Sequence, residues 1–88
     1  MYVVRKIELS KIGNTVINVP FRCKLLKVFS ENRKIYLLAL VDTRMDLVTK
    51  KVLLFKEDQE IYDCFFLDYI DSVCLDSEIL HFFIKNEN

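Results

Sequence analysis

At 88 residues and 10.5 kDa the chain has room for a single domain, residues 1–88, and no more. Thirteen Lys plus Arg balance thirteen Asp plus Glu, so no net field draws the protein to duplex nucleic acid or to an anionic membrane. Three cysteines without a C-x-x-C pair, and a single histidine, exclude the usual zinc patterns. They fit a reduced, cytoplasmic setting in which the thiols serve as small buried hydrophobes. Met1-Tyr2-Val3-Val4-Arg5-Lys6 brings in charge too early for a signal peptide, and no apolar run reaches the ~20 residues that span a bilayer. Yet 52% of the chain is hydrophobic and the mean hydropathy is +0.19, a surplus that calls for a rich core or an oligomer interface.

Tyr2 to Leu9 carries β-branched residues, with Val3, Ile7 and Leu9 on one face, and reads as a first strand. Gly13-Asn14 predicts a tight turn into a second strand, Thr15 to Val19, which Pro20 stops. Cys23–Phe29 and Ile35–Val41, joined through Asn32, predict a β-hairpin with Leu26 and Val28 on the core side. In Ile35–Val41 every side chain is apolar or aromatic, so this central strand is expected to be covered on both faces. Leu47 to Phe55 continues as a third strand of a meander. From Glu57 to Val73 the spacing of Tyr62, Phe66, Tyr69, Ile70 and Val73 suits a helix, but the aromatics of Cys64–Ile70 favour a strand, and a turn followed by a strand is the preferred reading. Glu78 to Lys85 alternates Ile79, His81 and Phe83 with Leu80, Phe82 and Ile84, as an internal strand does, and Asn86-Glu87-Asn88 is expected to fray. The expected fold is mainly β: a single small antiparallel sheet, curled or barrel-like, with an α+β arrangement carrying a helix near 58–73 as the alternative.

Little in the chain suggests catalysis. His81 is the only histidine, and no nucleophile motif, dinucleotide-binding fingerprint or P-loop is present, so neither an enzyme nor a cofactor is expected. Tyr36 and Tyr69, with Phe29, Phe65 and Phe82, have the chemistry to stack on bases if they face out between Lys24, Lys27, Lys50 and Lys51. A second feature is the acidic run Glu57, Asp58, Glu60, Asp63, Asp68, Asp71, Asp76 and Glu78, which a basic protein partner would recognise.

The order of short motifs resembles a family of small uncharacterised proteins of bacteriophages and prophages. The residues concerned are Val4–Leu9, Val16-Ile17-Asn18-Val19-Pro20, Cys23–Val28, Leu38-Ala39-Leu40-Val41-Asp42 and Leu80-His81-Phe82-Phe83. The family pattern has a glycine-containing turn after the fifth strand, where this chain has Lys56-Glu57-Asp58. The resemblance implies a phage accessory protein that acts by binding in the host cytoplasm, either sequestering a small anionic, nucleotide-like signal of host defence or blocking a host protein. Asp42 and His81, polar residues within those motifs, are the first candidates for a site, joined by Tyr36, Lys24 and Lys50. A homo-oligomer, most simply a two-fold dimer through the central or final strand, is expected on grounds of apolar surface.

Overall fold

The computed structural model describes residues 1–62 and 64–85, so the expected fraying of Asn86-Glu87-Asn88, like Asp63 of the acidic run, lies outside the described residues. The strands are β1 (Tyr2–Leu9), β2 (Thr15–Pro20), β3 (Lys24–Glu31), β4 (Lys34–Asp42), β5 (Leu47–Lys56), β6 (Leu67–Leu75) and β7 (Glu78–Lys85). They form two antiparallel sheets, ordered β1-β4-β3 and β2-β5-β7-β6. The mainly β expectation holds, but there is neither a single sheet nor a curled, barrel-like one. The alternative helix near 58–73 is absent too: that stretch holds a 3₁₀ turn, Cys64–Phe66, and most of β6.

Two sheets are needed because the strands alternate. Ile35, Leu37, Ala39 and Val41 of β4 are fully buried, and Ile35 and Leu37 share one core with Val52 of β5 and Leu80 and Phe82 of β7. Burying the apolar faces of two sheets against each other removes both from water at once. The other side of β4 is different: Tyr36, Leu38 and Leu40 are only half-buried, so the cover expected on both faces of this strand is complete on one.

Of the three links that change sheet, β1 to β2, β2 to β3 and β4 to β5, the first and the last defeat a hairpin reading. Gly13, at φ 110°, turns the chain as expected, yet β2 pairs with β5 and not with β1. Likewise β5 leaves the sheet of β4, so Leu47–Lys56 is not the third strand of a meander. A link of four or five residues serves either a hairpin or a change of sheet, and the burial of the apolar faces decides which.

Two true hairpins turn through pairs of residues with positive φ, Asn32-Arg33 (52° and 63°) and Asp76-Ser77 (51° and 67°). Left-handed pairs of this kind match the strand twist. The guanidinium of Arg33 donates through Nη2 to Asp76 Oδ2 at 3.0 Å and ties the two tips together. Close by, β3 and β6 bring the sheets into contact along their edges. Each carries a bulge, at Leu26 and Ile70 respectively. The bulge turns Leu26 outward, 44% exposed, against the expectation that it joins Val28 on the core side. Just past the second bulge, Asp71 accepts the Val28 N–H at 2.9 Å, satisfying a donor of edge strand β3.

Candidate functional site

The outer face of the four-stranded sheet collects the chemistry. Strand parity sends Leu53 and Phe55 of β5, and His81, Phe83 and Lys85 of β7, to that side, and the register places Phe83 between Leu53 and Tyr69. Phe83 meets Phe55 edge-on with ring centroids 5.6 Å apart, and Tyr69 at 5.1 Å. Because β5 and β6 flank β7 and run parallel, the chain between them has to travel back along the sheet. Glu57, at the start of that connection, bonds His81. Tyr62 and Phe66, nearer its end, line a groove of about 390 Å³ together with Lys51, Leu53, Leu67 and Lys85.

This groove pairs cations with aromatic walls. Val52 pairs with Ile84, so one step further along the register Lys51, inside β5, adjoins Lys85, the last residue of β7. Like charges set so close repel unless an anion lies between them. Neither forms an ion pair among the described residues. Tyr62 is anchored by a hydrogen bond from its hydroxyl to Glu60, whose carboxylate pushes the Tyr62 pKa up. A larger hollow of about 560 Å³, at the other end of β5 and β7, has Lys56, Asp76 and Glu78 in its walls. Three of its four charges are engaged, Lys56 with Glu78 and Asp76 with Arg33, leaving Lys11, and no aromatic ring lines it, so the smaller groove, with two lysines and two rings, is the stronger candidate.

Beside the groove runs a chain of three polar side chains. His81 Nε2 lies 2.5 Å from Glu57 Oε2, and His81 Nδ1 lies 3.0 Å from the Tyr69 hydroxyl. An ionised carboxylate only accepts, so Nε2 carries the hydrogen toward Glu57 and, in the neutral ring, Nδ1 accepts from Tyr69.

The five residues singled out from the sequence do not form one site. His81 is on this face, but Asp42 ends β4 in the other sheet. There the Arg44 side chain donates to Asp42 through Nε (3.0 Å) and Nη2 (2.9 Å), and the N-terminal amine stands 3.5 Å away. Those Arg44 hydrogen bonds hold the Asp42 carboxyl well below the usual carboxylate range. Asp42 is therefore a partnered strand-end cap. Tyr36 belongs to the outer face of the three-stranded sheet, where Lys6 Nζ sits 4.1 Å from its ring centroid. Lys24 is exposed on β3, and Lys50 pairs with the buried Ile17, on the side of the sheet away from the groove. Phe82 lies in the core, so it stacks on nothing outside. The cysteines also depart from expectation: Cys23 is half-buried, its thiol pushed up chiefly by burial, but Cys64 and Cys74 are exposed.

Lys85, Glu57, Tyr62 and Phe66 escaped the sequence reading of the site. The available signal was parity, since Lys51-Leu53-Phe55 and His81-Phe83-Lys85 are each in phase, but only the register shows that these two rows adjoin. Among the described residues no group of three or more His, Cys, Asp and Glu side chains is placed to hold a metal ion. No helix among them is long and apolar enough to cross a membrane. No protein-family model matches the chain, and no curated protein or solved structure matches it either.

Proposed function

We propose that this protein is a small binding domain that sequesters an anionic, nucleotide-like ligand on the outer face of its four-stranded sheet. One observation carries the reading: two adjacent lysines without ion pairs among the described residues open onto a groove walled by Tyr62 and Phe66. A phosphate suits the lysines, and a base suits the rings, where stacking is worth about 1–3 kcal/mol per base. The resemblance to phage accessory proteins supplies the biological role, namely countering host defence by removing a nucleotide signal. Calorimetric titration with nucleoside phosphates, cyclic dinucleotides and ADP-ribose tests it. Micromolar binding that falls as salt rises is expected; nothing tighter than millimolar across the panel overturns the reading.

The protein-inhibitor reading has less to stand on, because the acidic run is largely engaged within the chain. Glu57 bonds His81, Asp71 holds β3, Asp76 pairs with Arg33 and Glu78 with Lys56. Self-association remains part of the proposal, supported by exposed Tyr62 and Phe65 near the groove, 77% and 93% accessible. Light scattering at micromolar concentration decides it: a mass that stays at the monomer value removes the oligomer.

A further inference from the structure

We infer that Tyr69 is a nucleophile that can capture its ligand covalently, with His81 as its general base and Glu57 as the residue that positions the imidazole. A nucleophile within hydrogen-bond reach of a base, and a third group fixing that base, is the arrangement that activates weakly nucleophilic hydroxyls. All three parts are present here: Tyr69 Oη to His81 Nδ1 at 3.0 Å, and His81 Nε2 to Glu57 Oε2 at 2.5 Å. Tyr69 is 53% exposed, so an electrophile can reach it, whereas the His81 side chain is 28% exposed and held between its two partners. Leu67 pairs with Lys85 and Tyr69 with Phe83, which places Lys85 on the strand beside Tyr69, one step along the same face. Tyr69 and the two lysines thus share one face of the sheet, with the Tyr69 hydroxyl turned toward His81, on the other side of Phe83 from Lys85.

The substrate class follows from these parts: a phosphodiester or phosphoanhydride carrying a good leaving group. The Tyr69 hydroxyl proton passes to His81 Nδ1 as Oη forms a bond to phosphorus. The bond from phosphorus to the leaving oxygen breaks, and that oxygen departs with the electron pair. The imidazolium left behind is stabilised through Nε2–H by the Glu57 carboxylate. The inference rests on the ligand reading only for the anion-holding lysines, and a sequestering protein needs no turnover, since one capture per molecule removes the signal.

Bis(p-nitrophenyl) phosphate and the neutral ester p-nitrophenyl acetate are the probes. With either, the intact chain should release a burst of nitrophenolate approaching one equivalent, and peptide mass spectrometry should find the phosphoryl or acetyl group on Tyr69. Tyr69→Phe should abolish the burst while nucleotide binding, read by calorimetry, persists. His81→Ala should slow the burst by roughly 10²-fold or more, and added imidazole should restore it, which a purely structural histidine would not allow. Absence of label on Tyr69 with both esters, or a slowed His81→Ala burst that imidazole leaves unchanged, overturns the nucleophile. Labelling by the acetate without any nucleotide binding or phosphodiester reaction upholds Tyr69 and overturns the anion site instead.

Discussion

The outer faces of the two sheets are built from the same residue types and have opposite outcomes. On the three-stranded sheet, Phe29 and Tyr36 stack with centroids 5.7 Å apart. Lys6 lies over both rings and also donates to Glu31 at 3.0 Å, so cation, aromatics and carboxylate are spent on one another. On the four-stranded sheet the aromatics stand edge-on around Phe83, the lysines lie side by side where β7 ends against the middle of β5, and the carboxylate binds a histidine. Lysine over a ring is a closed contact, whereas lysine beside lysine leaves an attraction for anions unmet. Composition alone does not make a site; the relative placement of charge and ring does.

The sharpest way to break this contrast is to reverse charge on one face at a time. Lys51→Glu with Lys85→Glu should weaken nucleotide binding roughly 10²-fold, because two charge-assisted contacts are replaced by repulsion. Lys24→Glu with Lys27→Glu, on the opposite sheet, should change it by less than about threefold, as those charges are screened over a Debye length. Equal losses in calorimetry would erase the distinction between the faces.

Next in size is the joint that holds the two sheets edge to edge. Asp71→Ala strands the Val28 N–H and should cost about 1–3 kcal/mol in urea unfolding, with Asp71→Asn losing less because its amide oxygen still accepts. An unchanged midpoint in the alanine variant would show that the bulged edges hold without that bond.

A pH-dependent effect marks the strand end that resembled a site. Arg44 keeps the Asp42 carboxyl ionised in the folded state at pH values where an unfolded carboxylate takes up a proton. The stabilisation is therefore complete above the unfolded value of about 3.9 and is lost as pH falls from there toward the lower folded value. Asp42→Asn should accordingly lower the melting temperature at neutral pH, and the gap to the parent should narrow steadily below about pH 4. A gap of constant size through that range would contradict the assignment of Asp42 as an ionised cap.

The smallest effect is expected on the closed face. Lys6→Ala removes a half-exposed cation over two rings and should cost only about 0.5–1 kcal/mol, with nucleotide binding untouched. Tightened nucleotide binding in this variant would mean that Phe29 and Tyr36 form a second, normally occluded, stacking site.

Much of the strand content was legible because alternation has a period that survives without tertiary information. Tyr2–Leu9 and Glu78–Lys85 have the same bounds in the sequence reading and in the structure, and Asn32 turns its hairpin at positive φ as expected. The turn followed by a strand expected between Glu57 and Val73 holds, and the competing helical spacing of Tyr62, Phe66, Tyr69, Ile70 and Val73 has a definite source. The bulge at Ile70 inserts one extra residue into β6, shifting the parity midway and mimicking a longer period.

The sequence by itself determined which residues alternate, where turns fall and which faces are apolar, because these depend on neighbours a few positions away. Only the tertiary structure decided that the Gly13-Asn14 and Thr43–Asp46 links change sheets, and that the row of Lys51, Leu53 and Phe55 lies beside the row of His81, Phe83 and Lys85. Those outcomes hang on pairings between strands up to several tens of residues apart, and identical alternation permits several such pairings. Burial of one face of each sheet selects among them, and the groove, the lysine pair and the Glu57–His81–Tyr69 chain are consequences of that selection.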